Sequence, residues 1–123
     1  MNVLAESDNF QVYNEYERVF LNIKQISKVV YIGDFYGDPQ VALISEDEQY
    51  CVMGGAGIII YYLNEPYEEY SYNVKSVQWN EWGRENPEDT KWVENIFLID
   101  SEHVGVETED MEQFTLDVFT RKS

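Results

Sequence analysis

The chain has 123 residues, with 24 Asp and Glu against 8 Lys and Arg, and a formal net charge of −16. A surface of that sign repels nucleic acid and anionic membranes and attracts basic macromolecules. High charge often accompanies disorder, but 44% of these residues are hydrophobic and 15% aromatic, which is enough to build a core. One acidic globular domain spanning residues 1–123 is the expected organisation. Cys51 is the single cysteine, so no intrachain disulfide is expected and a reducing compartment is favoured.

In chain order, residues 1–12 hold Glu6, Ser7, Asp8 and Asn9 and read as a frayed start or a cap. The first ten residues have no basic region followed by an apolar one, so no signal peptide is expected and a cytoplasmic protein is the simplest reading. Tyr13, Tyr16, Phe20 and Ile23 recur near helical spacing, whereas Val19, Leu21 and Ile23 share one face of a strand. Residues 13–26 therefore fit helix and strand alike. From Val29, Val30, Tyr31 and Ile32 onward the texture is β, and it stops at Gly33 and Asp34. A turn-rich segment, 33–39, leads to Val41, Ala42, Leu43 and Ile44. Glu46, Asp47 and Glu48 read as a hairpin turn into Tyr50, Cys51, Val52 and Met53. Residues 58–63 are apolar at every position, as in a strand covered on both faces.

Asn64, Glu65 and Pro66 mark another turn. Residues 74–79 read as a strand with Val77 and Trp79 on one face. Asn86, Pro87, Glu88 and Asp89 have the form of a helix start. The last third predicts a meander of strands at 92–99, 103–108 and 113–119. In the last of these Phe114, Leu116 and Val118 alternate with Thr115, Asp117 and Phe119. The predicted fold is mainly β or α+β. It is an antiparallel sheet, as a sandwich or open barrel, with at most one substantial N-terminal helix.

Four motifs invite a chemical reading. Gly54, Gly55, Ala56 and Gly57 resemble a phosphate-binding loop, but a strand pattern follows them, so a tight turn is expected. Cys51 and His103 form the one conceivable thiol–imidazole pair. Cys51 sits in an apolar strand among acids, which raises a thiol pKa. Asp34 and Asp38 with Glu46, Asp47 and Glu48 invite a divalent cation, yet the spacing of a calcium loop is absent. Trp79, Trp82 and Trp92 offer stacking surfaces to a sugar, next to any pair of carboxylates. No catalytic residue, cofactor or metal ligand is assigned.

The strongest feature is aromatic residues set among acids. No Lys or Arg occurs in 29–74, which holds eight carboxylates; none occurs in 92–120, which holds eight more. Tyr and Trp concentrate binding energy at interfaces, and acids steer a basic partner toward them. The expected contact residues are Asp34, Tyr36, Asp38, Glu68, Glu69, Tyr70 and Trp82. In size and acidity, and in segments such as Ile32, Gly33, Asp34, Phe35, Tyr36, Gly37, Asp38, Pro39 and Trp79, Asn80, Glu81, Trp82, Gly83, the chain resembles the small acidic immunity proteins encoded beside bacterial polymorphic and contact-dependent toxins. That resemblance implies a non-enzymatic inhibitor that blocks one basic toxin, such as a nuclease, without itself binding nucleic acid or membrane. The alternatives from the same residues are a DNA mimic that blocks another nucleic-acid enzyme, and a small carboxylate-dependent hydrolase.

Overall fold

The computed structural model describes residues 2–84 and 90–119. Among these residues, eleven strands form three antiparallel meanders, each contiguous in sequence and none closed into a barrel. The first sheet holds β1 (Asn2–Glu6), β2 (Phe10–Glu15), β3 (Arg18–Ile23) and β4 (Lys28–Asp34). The central sheet holds β5 (Val41–Ile44), β6 (Tyr50–Gly55), β7 (Gly57–Tyr62) and β8 (Trp79–Trp82). The third holds β9 (Val93–Leu98), β10 (His103–Thr108) and β11 (Gln113–Asp117), in the order β11-β10-β9. A 3-10 turn at Lys24–Ile26 is the only helical segment among the described residues.

The central sheet is the middle layer of a stack. Its side chains alternate between two cores, as strand geometry requires. Cys51, Met53, Ile59, Tyr61 and Trp79 face the first sheet and meet Val12, Val19, Leu21, Val30 and Ile32. Tyr50, Val52, Ile58, Ile60 and Tyr62 face the third sheet and meet Val93, Ile96, Val104 and Val106. The register places Met53 opposite Ile59 on one face and Val52 opposite Ile60 on the other. This is why 58–63 is apolar throughout: each residue in turn contributes to one of two cores. Each large side chain buried this way contributes about 1.5–3 kcal/mol.

The glycines fit this layering. A Cβ at Gly54 would lie 2.8 Å from Val93 Cγ1 and 2.9 Å from Ile96 Cδ1, so the third sheet approaches the central backbone directly. Gly55 pairs with Gly57 across Ala56, with Gly57 at φ +85°. The glycine-rich segment is thus a tight strand connection and faces no helix.

Several expectations need correction. Residues 2–6 are not frayed; they form β1, whose partner is β2. The ambiguous 13–26 holds the end of β2, a turn at Tyr16 and Glu17, all of β3 and the 3-10 turn; Val19, Leu21 and Ile23 of β3 all reach the core. The strand expected at 74–79 begins at Trp79, and Val77 is 78% exposed in the preceding connection. The helix start proposed at 86–89 lies outside the described residues.

Candidate functional site

The most exposed aromatic residues adjoin one end of the first sheet. The β2–β3 turn carries Tyr16 at φ +55°, which points its ring into solvent at 85% exposure. The β4–β5 connection carries Tyr36, 89% exposed. Glu17 ties the two together. Its carbonyl accepts Phe35 N–H at 2.9 Å, and its carboxylate accepts Gly37 N–H. Both rings are therefore presented from one braced edge. Charged residues share this end of the sheet: Glu15 and Asp34 flank Arg18 across neighbouring strands, and Asp38 is exposed two residues after Tyr36.

An aromatic row runs inward from this edge over the outer face of the first sheet. Tyr13, Phe20 and Tyr31 are direct cross-strand neighbours, with ring centroids 5.5 and 5.8 Å apart. All three are half-buried. Burial, and then the adjacent Asp34 carboxylate, push the Tyr31 hydroxyl up to about 12, so it stays neutral at physiological pH.

Behind the edge, Arg84 holds the layers in register. Its Nη1 donates to the Ala56 carbonyl at 3.0 Å and its Nη2 to the Asp34 carbonyl at 2.7 Å. The guanidinium lies over the Phe35 ring, 4.7 Å from its centroid. Its Nε is 3.1 Å from Glu81 Oε1, a charge contact without hydrogen-bond geometry. The same Glu81 oxygen accepts the Tyr70 hydroxyl at 2.6 Å.

The structure distributes the expected contact residues unevenly. Asp34, Tyr36 and Asp38 belong to the edge just described. Glu69 lies along the free side of β4, where its carboxylate accepts Tyr31 N–H at 2.7 Å. Tyr70 is not a surface contact residue: it is 3% exposed, donates its N–H to the Tyr31 carbonyl at 2.8 Å, and stacks near Trp79. Glu69 and Tyr70 thus close the edge of the first sheet. Glu68 sits farther along, with its carbonyl taking the Tyr61 hydroxyl at 2.7 Å and its N–H donating to Gln78 Oε1 at 3.0 Å. Trp82 is half-buried and projects toward the third sheet, 5.0 Å from the Phe114 ring, away from the tyrosine edge.

Tyr16, Glu17, Tyr13 and Phe20 were missed. Glu15, Tyr16 and Glu17 show the same acid–aromatic texture as the chosen segments. That signal was hidden by the helix-or-strand ambiguity around them.

The other chemical options are also placed. Cys51 is fully buried toward the first sheet, where burial pushes its thiol far up, while His103 lies on the third sheet. They stand on opposite sides of the central layer and form no dyad. Asp34 and Asp38 precede β5 while Glu46, Asp47 and Glu48 follow it, so the strand separates the two groups of acids. Among the described residues no group of three His, Cys, Asp or Glu side chains is arranged to hold a metal ion. Trp79 and Trp82 project to opposite faces of β8 and share no stacking platform. Among the described residues no helix is long and apolar enough to cross a membrane. No family model, curated protein or solved structure matches the chain.

Proposed function

We propose that the protein is a non-enzymatic binding protein that neutralises a basic protein through the Tyr16–Tyr36 edge. The observation that carries this reading is the pair of nearly fully exposed tyrosines braced by Glu17, with exposed Asp38 two residues from Tyr36 and with Glu15 and Asp34 on either side of Arg18. Exposed tyrosines on a fixed backbone bury large area on binding at little entropic cost. The carboxylates raise the encounter rate with a cationic surface. The outer aromatic row extends the contact area beyond the edge. A basic enzyme whose own substrate is a polyanion has the complementary surface, and a toxin nuclease is the member of that class favoured by the resemblance to immunity proteins.

The test is capture of the partner from the native cell, its identification, and binding kinetics. Salt should slow association, because screening removes long-range steering beyond about 8–10 Å. Asp38→Lys should act the same way. Tyr36→Ala should mainly speed dissociation, with a loss of about 1–3 kcal/mol. An acidic partner, or an affinity indifferent to salt, would overturn the reading.

A further inference from the structure

β5 is the outermost strand of the central sheet, and β6 is its one hydrogen-bonded strand partner among the described residues. The register fixes which of its main-chain groups are used. Ser45 N–H donates to the Tyr50 carbonyl at 2.9 Å. By the alternation of an antiparallel ladder, Val41, Leu43 and Ser45 turn their N–H and C=O groups toward β6. Ala42 and Ile44 turn theirs the other way, where no strand pairs with them. All four residues of β5 keep partial exposure, whereas β6 and β7 are buried throughout.

Other outer strands are closed or blunted, as native sheets require. On β4, Glu69 accepts the Tyr31 N–H and Tyr70 N–H reaches the Tyr31 carbonyl. On β8, Asn80 Oδ1 accepts the Glu81 N–H at 3.0 Å. β1 is irregular between Val3 and Ala5. β11 has exposed, polar Gln113, Thr115 and Asp117 on its outer face, so a strand added there is covered on one face only. β5 differs because it belongs to the middle layer. Toward the first sheet, Leu4 and Ala5 of β1 are half-buried against the same core as Ala42 and Ile44. Toward the third sheet, Val41 and Leu43 pack on the second core. There Leu98 faces inward opposite Val104 and lies near Ser45, yet it is 36% exposed. A strand laid along β5 has apolar surface to cover on both of its faces.

Charge selects the occupant. Exposed Asp38 precedes β5, and exposed Glu46 and Asp47 follow it. No Lys or Arg occurs in 29–74. A second copy of this chain would set these acids against themselves. We infer that β5 accepts an extended peptide segment of a basic partner as an added strand, aliphatic at its middle and cationic at its ends. Its main chain pairs with Ala42 and Ile44. Its apolar side chains enter between the layers, and its cations meet Asp38 at one end and Glu46 and Asp47 at the other. This contact shares the basic partner of the proposed function but not the tyrosine surface, so either can fail alone.

The test is amide hydrogen exchange and an NMR titration of the intact protein with the peptide acetyl-Lys-Val-Ile-Val-Lys-amide at low salt. In the free protein the Ala42 and Ile44 amides should exchange much faster than those of Leu43 and Ser45. Saturating peptide should slow Ala42 and Ile44 at least tenfold and shift the resonances of 38–47 and Leu98. The same peptide N-methylated at its three central residues, or with Glu in place of Lys, should bind at least tenfold more weakly. Ala42→Pro removes an outward N–H without touching a bond to β6, and should weaken the peptide about tenfold. Glu46→Lys gives a second reading should that variant disturb the fold. Tyr36→Ala should leave peptide affinity unchanged; a loss there would place the peptide on the tyrosine edge and overturn the inference. So would Ala42 and Ile44 amides already protected in the free protein, equal binding of the methylated or Glu-ended peptide, or an affinity unmoved by both β5 substitutions. A concentration-dependent dimer in sedimentation that Ala42→Pro dissolves would overturn it in favour of a second copy.

Discussion

The two faces of the central sheet are closed by different means. Toward the first sheet, the apolar core is laced with directional polar ties. Arg84 spans two carbonyls of different layers. Gln78, buried, donates to the Tyr62 and Asn64 carbonyls at 2.7 and 2.8 Å and receives Glu68 N–H, fixing the β7–β8 connection whose Glu69 and Tyr70 bond Tyr31 of β4. Glu48 accepts two hydrogen bonds from Asn9 and one from Ser7, joining the β1–β2 and β5–β6 turns. Toward the third sheet, closure relies more on shape: aliphatic side chains, Gly54 pressed under Val93, and Tyr62 reaching Val118. Directional ties fix orientation as well as distance, whereas aliphatic contact tolerates small slides. The sheet that carries the tyrosine edge is the one held by directional ties.

The largest expected effect tests whether both interfaces are true cores. Ile59→Ala, facing the first sheet, and Ile60→Ala, facing the third, should each cost about 2–5 kcal/mol in urea unfolding. A much smaller loss on one side would mean that layer is weakly docked. Arg84→Met should cost about 2–3 kcal/mol, since two part-buried carbonyls lose a charged donor and Glu81 keeps Tyr70 but loses its counter-charge. A neutral result would remove the distinction between the faces. Gly54→Ala should cost about 1–3 kcal/mol by forcing Val93 and Ile96 aside. Tyr16→Ala and Tyr36→Ala should change stability by less than about 0.5 kcal/mol, because these rings touch solvent. A large loss would make them structural.

The smallest effect concerns pH. His103, the chain's single histidine, is held above its ordinary value of 6.5 chiefly by the hydrogen bond to Asp100. Its contribution is therefore fully present below 6.5 and is lost as pH rises through the raised folded value. Melting temperature should show a small decline across that window, absent in His103→Asn. A rise there would contradict the Asp100 contact.

Much of the fold was legible because strands advertise themselves through side-chain period and turn residues. Val41–Ile44 and His103–Thr108 have the expected bounds. The uniform apolar run at 58–63 correctly signalled cover on both faces, but composition cannot say whether sheets or helices supply it. β1 escaped because its five residues are short and half exposed, with no alternation strong enough to see. Tyr70 misled because a tyrosine among acids reads as a wet surface. Its hydroxyl instead finds Glu81 inside, and burial followed by that carboxylate push the group up. The candidate site was half legible for the same reason. Texture singled out Tyr36 and the acids near it, but only the fold joins them to Tyr16 through Glu17.

The serial arrangement of the meanders bears on how the chain survives its own synthesis. The first sheet ends at Asp34 and can cover one side of the central sheet as soon as Trp82 has emerged from the ribosome. The other side, with Val52, Ile58 and Ile60, stays bare until Val93–Leu98 and the strands after it are made. A β-rich segment with a bare apolar face invites association with its neighbours on the same messenger. The eight carboxylates and absent cations of 29–74 set like charge against like on every such nascent chain. Acidity in that stretch then opposes contact between unfinished chains.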